Sequence, residues 1–152
     1  MRIRVYAVTK GKADHFSPAA DHFRKLCSKY ASVQEIHLFT KAIDKAQRAG
    51  REQARKAYGE AVSFHAGELN VVMDEDGEKL DSPGFAKLLE NAGAVNFYIG
   101  GAYGFDDAFL RKADRTVSLS PMVFGHGLAK VMLLEQIYRG LALNAGHPYH
   151  KE

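Results

Sequence analysis

Apolar and polar positions alternate at the start of the chain. Ile3, Val5 and Ala7 are interleaved with Arg2, Arg4 and Tyr6, so the spacing predicts a strand over 2–9 with one buried face. The period then lengthens. Ser17-Pro18 opens a helix, with Ser17 as N-cap and Pro18 at the first helical position. Phe16, Ala20, Phe23, Cys27 and Tyr30 recur on one side of it. A second strand is predicted over 33–39 and a mostly helical stretch over 41–66, with Gly50 and Gly59 as its weak points. LNVVMD at 69–74 is a short apolar run of the kind found in buried parallel strands, and the acidic EDGEK after it reads as a turn. Ser82-Pro83 starts another helix, which Gly93 ends. AVNFYI (Ala94–Ile99) is a fourth strand that runs into Gly100-Gly101-Ala102-Tyr103-Gly104. A short amphipathic helix at 106–112, a fifth strand at 115–119 and a long helix at about 126–145 complete the series. Strands alternating with helices predict an α/β fold on a parallel sheet, here as one domain over 1–152.

The long helix differs from the others. Leu128, Val131, Met132, Leu133, Leu134, Ile137, Tyr138, Leu141 and Ala142 leave only a narrow arc free of large apolar groups. A helix apolar nearly all round is buried on more than one side. One side can cover the chain's own sheet; the other is expected to meet a second copy in a twofold homodimer through Leu133, Leu134, Ile137 and Leu141, the alternative being a helix sandwiched inside the monomer. Glu135 and Arg139 stand four apart in the order that favours an ion pair.

Composition narrows the class. With 46% hydrophobic and 26% charged residues the chain can bury a core. The single cysteine, Cys27, excludes an intramolecular disulfide and a cysteine-based zinc cluster, and reads as a small core residue. MRIRVYAVTK lacks the continuous apolar stretch of a signal peptide. The longest apolar run, VMLL, stops at Glu135, far short of a membrane span. A soluble, cytoplasmic protein with no membrane contact is expected.

The net charge of +3 conceals an asymmetry. Residues 1–66 carry 13 Lys/Arg against 6 Asp/Glu, whereas 67–114 carry 4 against 10. A basic amino-terminal part can hold a polyanion by displacing its counterions.

Ligands of such sheets bind beyond the carboxyl ends of the strands. Three ends stand out: Met73, Gly100-Gly101, and Leu119-Ser120-Pro121-Met122-Val123-Phe124. The double glycine reads either as a tight turn or as a place where the backbone approaches a ligand, in which case a side chain at either position would fill space that the ligand needs. IGGAYG is not the GxGxxG phosphate-binding pattern, and GxSxG does not occur. Of the seven histidines, His126, His147 and His150 come nearest to a metal set but lack ligand spacing, so no metal is expected. His15, His22, His37 and His65 read as surface or boundary residues.

Three segments together carry a resemblance. SLSPMVFGHGLAKVMLLEQIYRG, the preceding FYIGGAYG and the terminal PYHKE resemble the RlmH-type ribosomal RNA methyltransferases, small enzymes of the SPOUT class. The likeness spans the chain in length and element order and is densest from Asn70 onward. It implies a SPOUT fold whose carboxyl-terminal part threads a loop in a deep trefoil knot. It also implies a homodimer that methylates N3 of a pseudouridine in large-subunit ribosomal RNA, using S-adenosylmethionine (SAM). By the same resemblance Met73, Gly100, Gly101, Leu119, Ser120, Pro121, Met122, Val123 and Phe124 hold SAM. His126 and His150 are both candidates for the proton acceptor, with Arg139 and Tyr149 suited to holding phosphate or base. Val123 stands where the family has threonine, and Lys130 where it has arginine, which keeps the charge without a bidentate phosphate clamp. Two other readings stay open: a non-catalytic ribosome-binding protein that uses the basic region, and an unrelated nucleotide-binding domain that uses the Gly100-Gly101 turn.

Overall fold

A computed structural model describes residues 1–151. Five strands, β1 (Arg2–Ala7), β2 (Ser32–His37), β3 (Leu69–Lys79), β4 (Ala94–Ile99) and β5 (Arg115–Ser118), form one parallel sheet in the order β2-β1-β4-β3-β5. The helices are α1 (Ser17–Cys27), α2 (Lys41–Ala49), α3 (Arg51–Glu60), α4 (Ser82–Leu89), α5 (Asp107–Lys112) and α6 (His126–Asn144).

The period-two pattern of the central strands sorts side chains into two cores. Ile3, Val5, Val71, Val95, Phe97 and Val117 point to one face, where α1, α4 and α6 cover them. Tyr6, Val72 and Tyr98 point to the other, against Ile43 of α2, Tyr58 of α3 and Phe109 of α5. A parallel sheet covered on both faces explains why the strands read as nearly continuous apolar runs.

Most element boundaries fall within two residues of the expectation, and β4 matches it residue for residue. Helix α1 begins at Ser17 itself, one position early, with Phe16 at the cap position and its N–H donating to the Asp14 carboxylate at 2.9 Å. Gly50 divides the 41–66 stretch at φ 148°, whereas Gly59 stays helical. The acidic EDGEK segment is not a turn closing a short strand. It belongs to β3, which shifts register after Met73 and pairs again with β5 through Glu78 and Lys79. A Cβ at Gly77 would come within 2.9 Å of the Thr116 and Val117 backbone, so only glycine lets the strands close there. Burial pushes the Cys27 thiol up to about 12, as suits a core residue.

Helix α6 corrects one expectation. Leu133, Leu134, Ile137 and Leu141 are buried within the chain, between the sheet and helices α1 and α4. They offer no surface to a second copy. Gly140 permits the close α4 contact, since a Cβ there would sit 3.2 Å from the Ala86 backbone. Among the described residues no helix is long and apolar enough to cross a membrane.

Candidate functional site

The carboxyl ends of β4 and β5, with the point in β3 where its pairing to β4 ends, surround a cavity of about 570 Å³. Met73 and Ile99, the last pair in the β3–β4 register, close its sheet side. The loop from Gly100 to Gly104 and the loop from Leu119 to Gly125 form its walls, and His126 and Ala129 of α6 stand at its edge. Strands β3 and β4 send their following helices to opposite faces of the sheet, which leaves a crevice where ligands of open α/β sheets bind.

Eight of the nine expected cofactor residues line this cavity: Met73, Gly100, Gly101, Leu119, Ser120, Met122, Val123 and Phe124. Pro121 belongs to the same loop but is not part of the lining. The Ser120 hydroxyl accepts from the Met122 N–H at 3.1 Å and shapes the loop. Met122 and Val123 are 71% and 75% exposed, so apolar groups stand free at the mouth.

The double glycine is required by packing behind the loop as well as by the cavity it lines. A Cβ on Gly101 would lie 2.5 Å from the Tyr58 ring, on the side of the second core. Tyr58 is fully buried and its hydroxyl donates to Gln47 at 2.6 Å, so it cannot move away. A Cβ on Gly100 would meet Gly104 at 3.1 Å. These glycines fold the loop onto its own support, and the cavity gains a backbone wall as the result.

Four side chains bring a formal charge or an imidazole to the lining: Arg51 at the start of α3, Asp74, Glu75 and His126. Only His126 was expected. Asp74 follows Met73 directly, so its place at a strand end was a readable signal; Arg51 gave none. Burial, reinforced by Glu75 and Asp76, pushes the Asp74 carboxyl above the usual carboxylate range, against the Asp76 N–H that donates to it at 3.1 Å. His126 is exposed, with Nε2 3.3 Å from the Thr9 hydroxyl just past β1.

The other expected catalytic residues gather elsewhere. Arg139 donates to Glu135 at 2.5 Å, and the Tyr149 hydroxyl donates to the same carboxylate oxygen at 3.0 Å. The guanidinium lies over the Tyr149 ring at 4.7 Å and 3.2 Å from His150 Nδ1. Hydrogen bonding to Glu135 raises the Arg139 pKa, while burial leads in raising that of Tyr149. The tail is docked on α6 rather than frayed, as far as the described residues extend; Glu152 lies outside them. Arg139 is 13 residues beyond His126 on one helix. That separation is about 20 Å at the helical rise. Within one chain, tail and cavity are apart.

Lys130 is not free for phosphate. It is mostly buried, with its ammonium 3.0 Å from Glu35, whose other oxygen binds Arg24. Arg2 and Arg4 pair with Glu68, and Arg55 donates to the Phe105 carbonyl at 3.0 Å. Arg48 is largely exposed and pairs with Asp44 at 3.0 Å, so the unpaired amino-terminal charge open to a polyanion resides in the lysines and Arg51. Among the described residues no three His, Cys, Asp or Glu side chains converge as a metal set.

A family model described as "Predicted SPOUT methyltransferase" matches residues 1–150. The chain belongs to the SPOUT methyltransferase family. Ribosomal RNA large subunit methyltransferase H of Sulfurovum sp. is 43% identical over 153 residues, covering 99% of this chain and 100% of the relative. The proteins of the same name from Campylobacter fetus and Aliarcobacter butzleri are 45% and 41% identical, each covering 99% of this chain and 100% of the relative. A solved structure of a probable methylase family protein from Haemophilus influenzae superposes with a TM-score of 0.60 at 12% identity, over 99% of this chain and 70% of that one. This last likeness concerns the fold alone. The SPOUT resemblance carried by the three sequence segments is thus borne out.

Proposed function

We propose that this SPOUT enzyme transfers a methyl group from SAM to N3 of a pseudouridine in large-subunit ribosomal RNA. One observation carries the reading. A cavity of cofactor size sits at the carboxyl ends of β4 and β5, beside the point where β3 leaves β4, and is lined by eight residues that the family pattern assigns to the methyl donor. The relatives that this chain matches over its full length are named for methylation of that RNA. A role confined to ribosome binding has no use for such a cavity.

The residues fit the donor. Loop backbones from Gly100 to Gly104 and Leu119 to Gly125 supply N–H and C=O groups for an adenine edge, with Met73 and Leu119 against its faces. SAM supplies an electrophilic methyl carbon on a sulfonium. What remains for the protein is to align the acceptor nitrogen and take its proton. Since a guanidinium only donates, Arg139 makes His150 Nδ1 an acceptor and leaves the ring proton on Nε2. In this arrangement His150 is suited to donating to a carbonyl of the target base, with Arg139 and Tyr149 holding the RNA, and proton acceptance falls to His126.

The working form is a homodimer in which one protomer's tail completes the partner's cavity. The distance along α6 between His126 and Arg139 supports this, as do exposed Phe16 and Leu128 near the start of that helix. The trefoil knot is proposed as well. It rests on the family resemblance, and the return of the chain from edge strand β5 to pack α6 on α1 is compatible with it. The enzyme is expected to act as one domain in the cytoplasm.

Calorimetry with SAM tests the cavity, and mass spectrometry of ribosomal RNA from a strain lacking the protein tests the target. Micromolar SAM binding and a missing methyl mark on one pseudouridine are expected. No binding, or an unchanged modification profile, overturns the proposal.

A further inference from the structure

Asp74 stands at the point where the β3–β4 pairing ends, next to Met73 and inside the cavity lining. It is half-buried and forms no ion pair among the described residues. Its one hydrogen-bond donor is the Asp76 N–H. The neighbouring Glu75 is exposed, where water screens its charge. Arg55 acts on Asp74 through space but does not pair with it, and a carboxylate taken partly out of water without a paired cation favours a ligand that brings one.

The methyl donor and its product differ in charge at one atom. SAM carries a sulfonium, an ammonium and a carboxylate; S-adenosylhomocysteine has the last two alone. Transfer forms the bond from nitrogen to methyl carbon and breaks the bond from sulfur to that carbon. The electron pair stays on sulfur as a neutral thioether, and the nitrogen's proton passes to the base.

We propose that Asp74 is a specificity-determining residue that recognises the sulfonium charge, so that the cavity holds the methyl donor more tightly than the demethylated product. The interaction is lost when the methyl group leaves, which favours product release. This inference rests on the cavity being the SAM site.

Calorimetry on the full chain uses three probes: SAM, S-adenosylhomocysteine and sinefungin, an analogue with an ammonium-bearing carbon in place of the sulfonium. The wild type is expected to bind SAM and sinefungin on the order of tenfold more tightly than the thioether. Asp74→Asn should weaken SAM by a similar factor, leave the thioether unchanged and bring the ratio near one. Asp76→Asn, which removes an exposed carboxylate outside the lining, should preserve the ratio. Sinefungin binding the wild type no better than the thioether overturns the inference without any variant. So does an Asp74→Asn protein that is folded by thermal unfolding but weakened equally for all three. If the wild type binds none of them, the SAM reading itself has failed; if it binds all equally, only the role of Asp74 has.

Discussion

The two ends of the parallel sheet both carry buried or half-buried polar groups, and they handle them in opposite ways. At the amino end Asn70 and Asn96 are buried, and they answer one another. Asn70 Oδ1 accepts from the Tyr98 hydroxyl at 3.0 Å and the His65 N–H at 3.2 Å, while its amide donates to the His65 carbonyl at 3.0 Å and to Asp114 at 3.2 Å. Asn96 donates to Glu68 at 2.7 Å, whose carboxyl is held below the usual range by that bond first and by Arg2 and Arg4. This network is closed and structural. At the carboxyl end Asp74 forms no ion pair among the described residues, and Arg51 and His126 face a cavity. Polar groups satisfied by their neighbours mark architecture, whereas those left facing open space mark a site. Residue type alone does not separate the two.

The largest effect is expected at the tail, whose removal should take away a part of the site that the cavity lacks within one chain. Deleting residues 149–152 should lower methyl transfer by a factor on the order of 10² or more while SAM affinity stays within about twofold. Single-turnover assays on ribosomes with parallel calorimetry measure both, and an unaltered rate would return the tail to a dispensable role. Next comes the closed network. Asn70→Ala leaves the Tyr98 hydroxyl and the Asn96 amide short of a partner and should cost roughly 3 kcal/mol in chemical denaturation, with SAM affinity unchanged in the folded fraction. A loss of affinity without loss of stability would make that end part of the site.

Gly101→Ala tests the cavity wall that the Tyr58 ring supports. It should cost about 1–3 kcal/mol by overpacking. Combined with Tyr58→Ala, that cost should largely disappear, and a double-mutant cycle with no coupling would refute the packing account. The smallest effect concerns Asp74. Its folded carboxyl is raised, so the folded state binds the proton more tightly than the unfolded chain. Ligand-free stability is therefore lost as pH rises through the range above the ordinary aspartate value. Asp74→Asn should raise the ligand-free Tm at neutral pH by roughly 1 °C. A lowered Tm would mean that the carboxylate serves the loop.

Much of this was legible along the chain because it depends on near neighbours. The alternation of Ile3, Val5 and Ala7 reports which face of β1 is buried, and AVNFYI reports a strand enclosed on both faces. The three strand ends that line the cavity were legible too, since parallel sheets place ligands there. Other features depend on partners far away in sequence. EDGEK looks like a turn until β5 is available to pair with Glu78 and Lys79. Lys130 looks like a phosphate ligand until Glu35 of β2 is placed beside it.

The order and type of the elements, the family and the strand ends that meet at the cavity are written along the chain, because periodicity and motif are local. Tertiary structure alone decided who covers α6. The helical pattern says that Leu133, Leu134, Ile137 and Leu141 must leave water, but burial by α1 and α4 of the same chain satisfies it as well as burial by a second copy would. The hydrophobic effect scales with area removed from water and is indifferent to whose surface removes it. The same holds for Gly101, where the requirement for a missing side chain is written in the chain but its cause, the Tyr58 ring, is a contact across the fold.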